Sequence, residues 1–145
     1  MKKIFLTAFV VVFSIMTQAQ TQEEKLNEKY CTGLFKSTKG TIFDLESGGS
    51  AGGFVNILDW LEGRMAGLRV RIRNGTKTPY IRGQQATVYV DETQVNANYL
   101  NSLPTSNIAM IKVFRSGFFG GFNTGGGAIA IYTMGTAADG SNDGK

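Results

Sequence analysis

The sequence predicts a small α+β domain, a mixed β-sheet with short helices packed against it. Three observations carry that reading. Phe54, Ile57, Leu58, Leu61 and Met65 recur at i, i+3, i+4, i+7 and i+11, which is the spacing of one helix face. Leu68, Val70 and Ile72 alternate with Arg69, Arg71 and Arg73, the period of a half-buried strand. Short apolar runs separated by glycine, proline and asparagine then continue to Thr133.

In chain order, residues 1–19 read as a secretory signal peptide. Lys2 and Lys3 form its charged start, and Ile4 to Met16 its apolar stretch. Thr17-Gln18-Ala19 places small residues at −3 and −1, so cleavage is expected after Ala19. That apolar stretch is shorter than the roughly 20 residues that span a bilayer. Residues 20–53 are an N-terminal segment, partly flexible. Within it Gln20 to Lys29 is polar and expected to be loose, Thr41 to Phe43 suits a short strand, and Glu46 to Gly53 is a glycine–serine loop.

The ordered domain is expected over 54–133. The helix over Phe54 to Met65 ends at Gly67, and the arginine-bearing strand follows. Asn74-Gly75 is a turn signal. Thr78 to Arg82 and Ala86 to Asp91 read as strands, with Val88 and Val90 on one face and Tyr89 on the other. Asn96 to Leu103 suits a short helix stopped by Pro104. Thr105-Ser106-Asn107 then caps a turn into the strand Ile108 to Phe114, where Ile111 and Val113 share a face. Gly117 to Gly127 holds six glycines in eleven residues, a backbone free to bend. Ala128 to Thr133 is almost wholly apolar and is expected to be the central strand. Residues 134–145 read as a polar tail.

Composition narrows the function classes. Fifteen basic and 11 acidic residues give a net charge of +4. Without Lys2 and Lys3 the balance falls to 13 and 11, too mild to imply nucleic acid, and export argues against it as well. With no histidine and only Cys31, neither a zinc or copper site nor an internal disulfide is expected. A Ser-His-Asp or Cys-His site cannot be built. Asp91-Glu92 is an adjacent carboxylate pair, but on a strand its side chains point to opposite faces. The glycine run lacks the Gly-Lys-Ser/Thr ending of a phosphate loop. The expectation is a non-enzymatic protein with no cofactor.

Four stretches, in order, resemble the plug domain of TonB-dependent outer-membrane receptors, in the SusC-like branch of nutrient importers. Ile57 to Val70 is similar to the segment in which a helix with an apolar-Gln-Gly-Arg core ends in glycine and an alternating strand. Tyr80-Ile81-Arg82-Gly83 resembles the Ile-Arg-Gly signature. Val88-Tyr89-Val90-Asp91 resembles the strand that ends in Asp-Gly, with Glu92 in place of the glycine. Ile108 to Arg115, Phe119-Gly120 and Gly126 to Thr133 resemble the closing module. Two further positions depart from the pattern: Ser116 follows Arg115, and Lys112 stands where an acidic residue is common. No convincing TonB box is read between Gln20 and Lys39.

The resemblance implies that Arg82 and Arg115 matter most, because plug arginines at these motifs face the barrel wall and meet glutamates there. Solvated strand-edge arginines are the alternative. Arg69, Arg71 and Arg73 share a strand face, and no acidic residue lies between Gly63 and Val90. That face either docks on an acidic lumen or anionic lipid, or is a solvent face whose charge deters edge pairing. Phe118, Phe119 and Phe122 form either an interaction patch or a flap over the core. Trp60 is a second packing contact or an interface anchor.

With residues 134–145 read as a tail, the expectation is a plug whose barrel is a separate chain. It would sit in the periplasm against the outer membrane and occlude a SusC-like importer or a large secretion translocon such as type IX. A periplasmic ligand- or protein-binding module of plug fold, or a truncated transporter remnant, are the alternatives.

Overall fold

The computed structural model describes residues 22–47, 49, 51–115, 118–119, 122–123 and 125–136. The expected signal peptide and most of the expected tail lie outside them. Ten strands, two α-helices and three short 3-10 helices, Ala97–Asn101, Thr105–Asn107 and Met134–Thr136, are present among the described residues. Helix α1 covers 22–30 and α2 covers Ile57–Glu62. The strands are β1 Thr41–Asp44, β2 Leu68–Arg73, β3 Thr76–Ile81, β4 Gln84–Gln85, β5 Thr87–Val90, β6 Thr93–Val95, β7 Ile108–Phe114, β8 Phe118–Phe119, β9 Phe122–Asn123 and β10 Ala128–Thr133.

Five strands form the main sheet in the order β1-β7-β10-β5-β6. β10 lies at its centre, parallel to β5 and antiparallel to β7, so the sheet is mixed. Burial on both faces explains why β7 and β10 are apolar apart from Lys112 and Thr133. Their alternation sorts two cores. Val88, Val90, Ile111, Val113, Ile129 and Ile131 face α2, Leu68 and Ile81. Tyr89, Met110, Phe114, Ala128, Ala130 and Tyr132 face Leu26, Tyr30, Cys31 and Phe35. A register shift between Tyr132 and Thr133 resets the parity, so Ile108 joins the first core while Ala109 joins the second.

A smaller sheet, β2-β3-β4, packs beside α2. Three two-residue turns shape the hairpins: Asn74-Gly75 and Arg82-Gly83 in this sheet, and Asp91-Glu92 between β5 and β6 of the main one. All six residues have positive φ, the geometry whose twist matches a β-hairpin. Arg82 is therefore a turn residue, not the end of a strand over Thr78 to Arg82. Asp91 likewise leaves the strand expected over Ala86 to Asp91, and its neighbour Glu92 starts no new face.

Three further boundaries differ from expectation. The helix expected over Phe54 to Met65 is confined to Ile57–Glu62, because the Asn56 side chain accepts the Leu58 N–H at 2.9 Å and caps it. Val55 is 91% exposed outside the helix. Gln20 to Lys29, expected to be loose, contributes helix 22–30, and Leu26 and Tyr30 on it are buried. The half-burial expected along β2 holds only at its start: Leu68 is buried, but Ile72 is 74% exposed, because the β2–β3 hairpin runs past the core.

Candidate functional site

The basic residues singled out by the sequence lie on the smaller sheet and at one end of the larger one. Arg69, Arg71 and Arg73 are all exposed on β2, the outer strand of its sheet. Arg71 stacks its guanidinium over the Tyr80 ring at 4.9 Å, a diagonal neighbour across the β2–β3 pair. The outer edge of β2 is partly strapped, since the Glu62 carboxylate accepts the Val70 N–H at 2.9 Å.

Arg82 sits at the opposite end of β2 from Arg73. Its backbone N–H donates to Gly67 O at 3.0 Å, and its φ is +52°. A non-glycine residue in this region is uncommon, and here the hairpin twist requires it. The side chain is exposed. Arg115, also exposed, follows directly on β7. Residues Gly125 to Gly127 run between the Gln84–Gln85 strand and the end of β7. A Cβ on Gly126 would lie 2.2 Å from Gln85 O, and one on Gly127 2.2 Å from Phe114 O. The close approach that glycine permits thus brings the Arg82 turn and Arg115 to the two sides of one segment.

Among the described residues, ion pairing spares all five arginines. The salt bridges among the described residues are Lys29 with Glu46 and Lys77 with Asp59. Arg64 instead lies 4.3 Å over the Trp60 ring and donates to Trp60 O at 3.2 Å. Trp60 itself is buried at 2% exposure and meets the Phe43 ring edge-on, so it is a packing contact. Phe118–Phe119 and Phe122–Asn123 pair as an antiparallel ladder. Whether those rings form a patch or a flap concerns side chains outside the described part of the structure.

Two charged groups that the sequence did not single out as sites have built environments. Lys112 is 2% exposed; its Nζ donates to Asn27 Oδ1 at 2.6 Å and Phe35 O at 2.8 Å. Burial holds its pKa below the ordinary value. Glu92 accepts the backbone N–H groups of Thr32, Gly33 and Leu34. The signal for Glu92 was its place where the resembling pattern has glycine. For Lys112 it was a lone charge inside an apolar run. Both tie the N-terminal segment to the sheet. Burial also pushes up the Cys31 thiol and the Tyr132 hydroxyl, so both remain protonated at neutral pH.

No protein-family model and no curated protein matches the chain. Solved structures do. The chain is similar to part of the RagAB peptide importer in its closed-closed state, with 19% identity, TM-score 0.52, and coverage of 67% of this chain and 12% of that one. The open-open state of the same importer gives 19% identity and TM-score 0.49 over 65% of this chain and 12% of that one. A further RagAB peptide transporter structure gives 17% and 0.48 over 67% and 12%. At this identity the likeness is one of fold: the domain has the architecture of a small piece of a much longer importer chain. No helix among the described residues is long and apolar enough to cross a membrane.

Proposed function

We propose that this chain is a non-enzymatic plug that occludes, from the periplasmic side, the lumen of an outer-membrane β-barrel carried by a separate chain. The barrel is a SusC-like importer or a large secretion translocon such as type IX. The observation that supports this most is the state of its arginines: Arg69, Arg71, Arg73, Arg82 and Arg115 are exposed, with no carboxylate partner among the described residues. The fold that carries them resembles part of an importer. A guanidinium entering a partly dehydrated lumen is costly unless a carboxylate meets it, and its planar fork suits bidentate pairing. Arg82 and Arg115 flank one segment and would enter together, with the β2 arginines assisting.

Affinity purification of the tagged chain from detergent-solubilised outer membranes, followed by mass spectrometry, tests the reading. A β-barrel protein should co-purify, and cells lacking the gene should take up large antibiotics faster. A deletion strain no more permeable than wild type, with no barrel recovered, would replace occlusion with a periplasmic binding module.

A further inference from the structure

A cleft of about 670 Å³ opens between the outer strand of the main sheet, β6, and the β2–β3 hairpin. This lies within the roughly 300–1,000 Å³ of ordinary ligand sites. Arg73, Thr78, Gln85 and Gln94 line it, and its lining includes neither a carboxylate nor an aromatic ring. Thr78 is buried at 7% exposure, yet among the described residues its hydroxyl reaches only Thr76 O, at 3.5 Å. A buried hydroxyl with so weak a partner is unusual and has bonding capacity to spare.

The edge of β6 adds a second kind of unspent group. Val90 pairs with Thr93 across the two-residue turn, and Val88 with Val95. In an antiparallel hairpin these are the hydrogen-bonded pairs, so the Gln94 N–H and C=O point away from β5, off the free edge of the sheet. Unpaired ladder groups of this kind template another strand. The side-chain amides of Gln85 and Gln94 each offer a donor and an acceptor, as a peptide group does. The one charge in the lining is the Arg73 guanidinium.

We propose that this cleft binds an extended peptide, which adds to β6 as a strand at Gln94 and places an acidic side chain on Arg73. Strand addition supplies affinity through the main chain, and Arg73 supplies selectivity. Arg73 is also one of the β2 arginines proposed to assist barrel docking, so peptide binding is read on the purified chain, where no barrel competes for it.

Fluorescence anisotropy with a labelled Thr-Val-Asp-Val-Thr-Val peptide and the purified chain tests it. The acidic peptide should bind saturably, and the same peptide with Lys for Asp about tenfold more weakly. Arg73→Ala should remove that preference. Gln94→Pro deletes the outward N–H and no ladder bond, so it should keep the wild-type melting temperature and lose binding. An acidic peptide methylated at alternate backbone nitrogens should fail to bind the unaltered chain, which tests strand addition even if Gln94→Pro does not fold. Absence of saturable binding by the unmodified acidic peptide, or undiminished binding of the methylated one, overturns the proposal.

Discussion

Glu92 Oε2 accepts the Leu34 N–H at 2.9 Å across 58 residues of sequence, while Oε1 accepts the Thr32 and Gly33 N–H groups at 3.1 and 3.2 Å. The carboxylate closes a concave run of three amides, a geometry that favours anions. It does so from a backbone held at φ +63°, where glycine would be relaxed. Two effects therefore oppose each other at this position. Glu92→Ala loses the bonds and keeps the strain, and should cost about 2 kcal/mol in urea unfolding. Glu92→Gly loses the bonds and relieves the strain, and should be about 1 kcal/mol more stable than the alanine variant. Equal losses would show that the bridge, not the strain of the turn, governs the position.

Gly127 and Gly75 make a matched pair for the same physics. Both have positive φ, +79° and +75°, but a Cβ on Gly127 would fall 2.2 Å from Phe114 O, and one on Gly75 would meet nothing within 4 Å. Gly75→Ala should cost about 1 kcal/mol, the conformational penalty alone. Gly127→Ala must also separate β10 from β7 and should lower the melting temperature much further. Similar melting temperatures for the two variants would remove the close approach from the account of how Arg82 and Arg115 come together.

Lys112 gives the domain an alkaline signature. Desolvation sets its folded pKa below the ordinary 10.5, with the Cys31 and Glu92 charges acting the other way. Between the two values the unfolded chain binds more protons than the folded one, so the Lys112 contribution to stability rises with pH there. Cys31 and Tyr132, held protonated by burial, contribute the opposite slope near and above their ordinary values. Comparing wild type with Lys112→Met cancels those shared terms. The stability of wild type relative to the variant should increase as pH approaches 10.5 in parallel urea titrations. A flat difference would place the ammonium in contact with water.

The core helix offers a direct test of layer assignment. Leu61 is 0% exposed, between α2 and the main sheet. Leu61→Asp buries a carboxylate without a partner and should cost 4 kcal/mol or more, roughly the upper range for single substitutions. An unchanged melting temperature would mean that α2 presents a different face.

The strands β7 and β10 were legible because a strand buried on both faces needs a largely apolar run, and such runs are hard to misread even with one charge, Lys112, inside. Helix 22–30 was not, since its buried face amounts to Leu26 and Tyr30, too few to raise a period above its charged neighbours. β6 was missed for a related reason. Thr93, Gln94 and Val95 have no strand pattern of their own, and the Asp91-Glu92 turn that pairs them with β5 places Glu92, a residue with little preference for positive φ, where glycine is the usual signal. Ile72 shows the limit of periodicity: alternation fixes which way a side chain points, while burial depends on how far the core extends. The arginines follow the same logic. Their positions were readable, but that no described carboxylate pairs with them depends in part on Asp59 folding onto Lys77 and Glu62 onto Val70 N–H.

Arg82 combines a strained backbone with a cation that has no carboxylate partner among the described residues, and the two are separable by substitution. Its φ of +52° suits asparagine better than alanine, and Gly83 beside it already has the preferred partner geometry. Arg82→Asn should therefore be at least as stable as wild type, and Arg82→Ala about equal to it, since alanine carries the same strain. If the guanidinium meets lumen carboxylates, both variants should weaken recovery of the barrel in co-purification. Arg82→Glu, which sets like charges together, should weaken it more than either. Arg82→Lys keeps the charge and loses the bidentate fork, so it should fall between wild type and Arg82→Ala. Recovery that follows melting temperature across the four variants would assign Arg82 to the turn alone. Recovery that follows charge and fork geometry, at constant melting temperature, would assign it to the barrel.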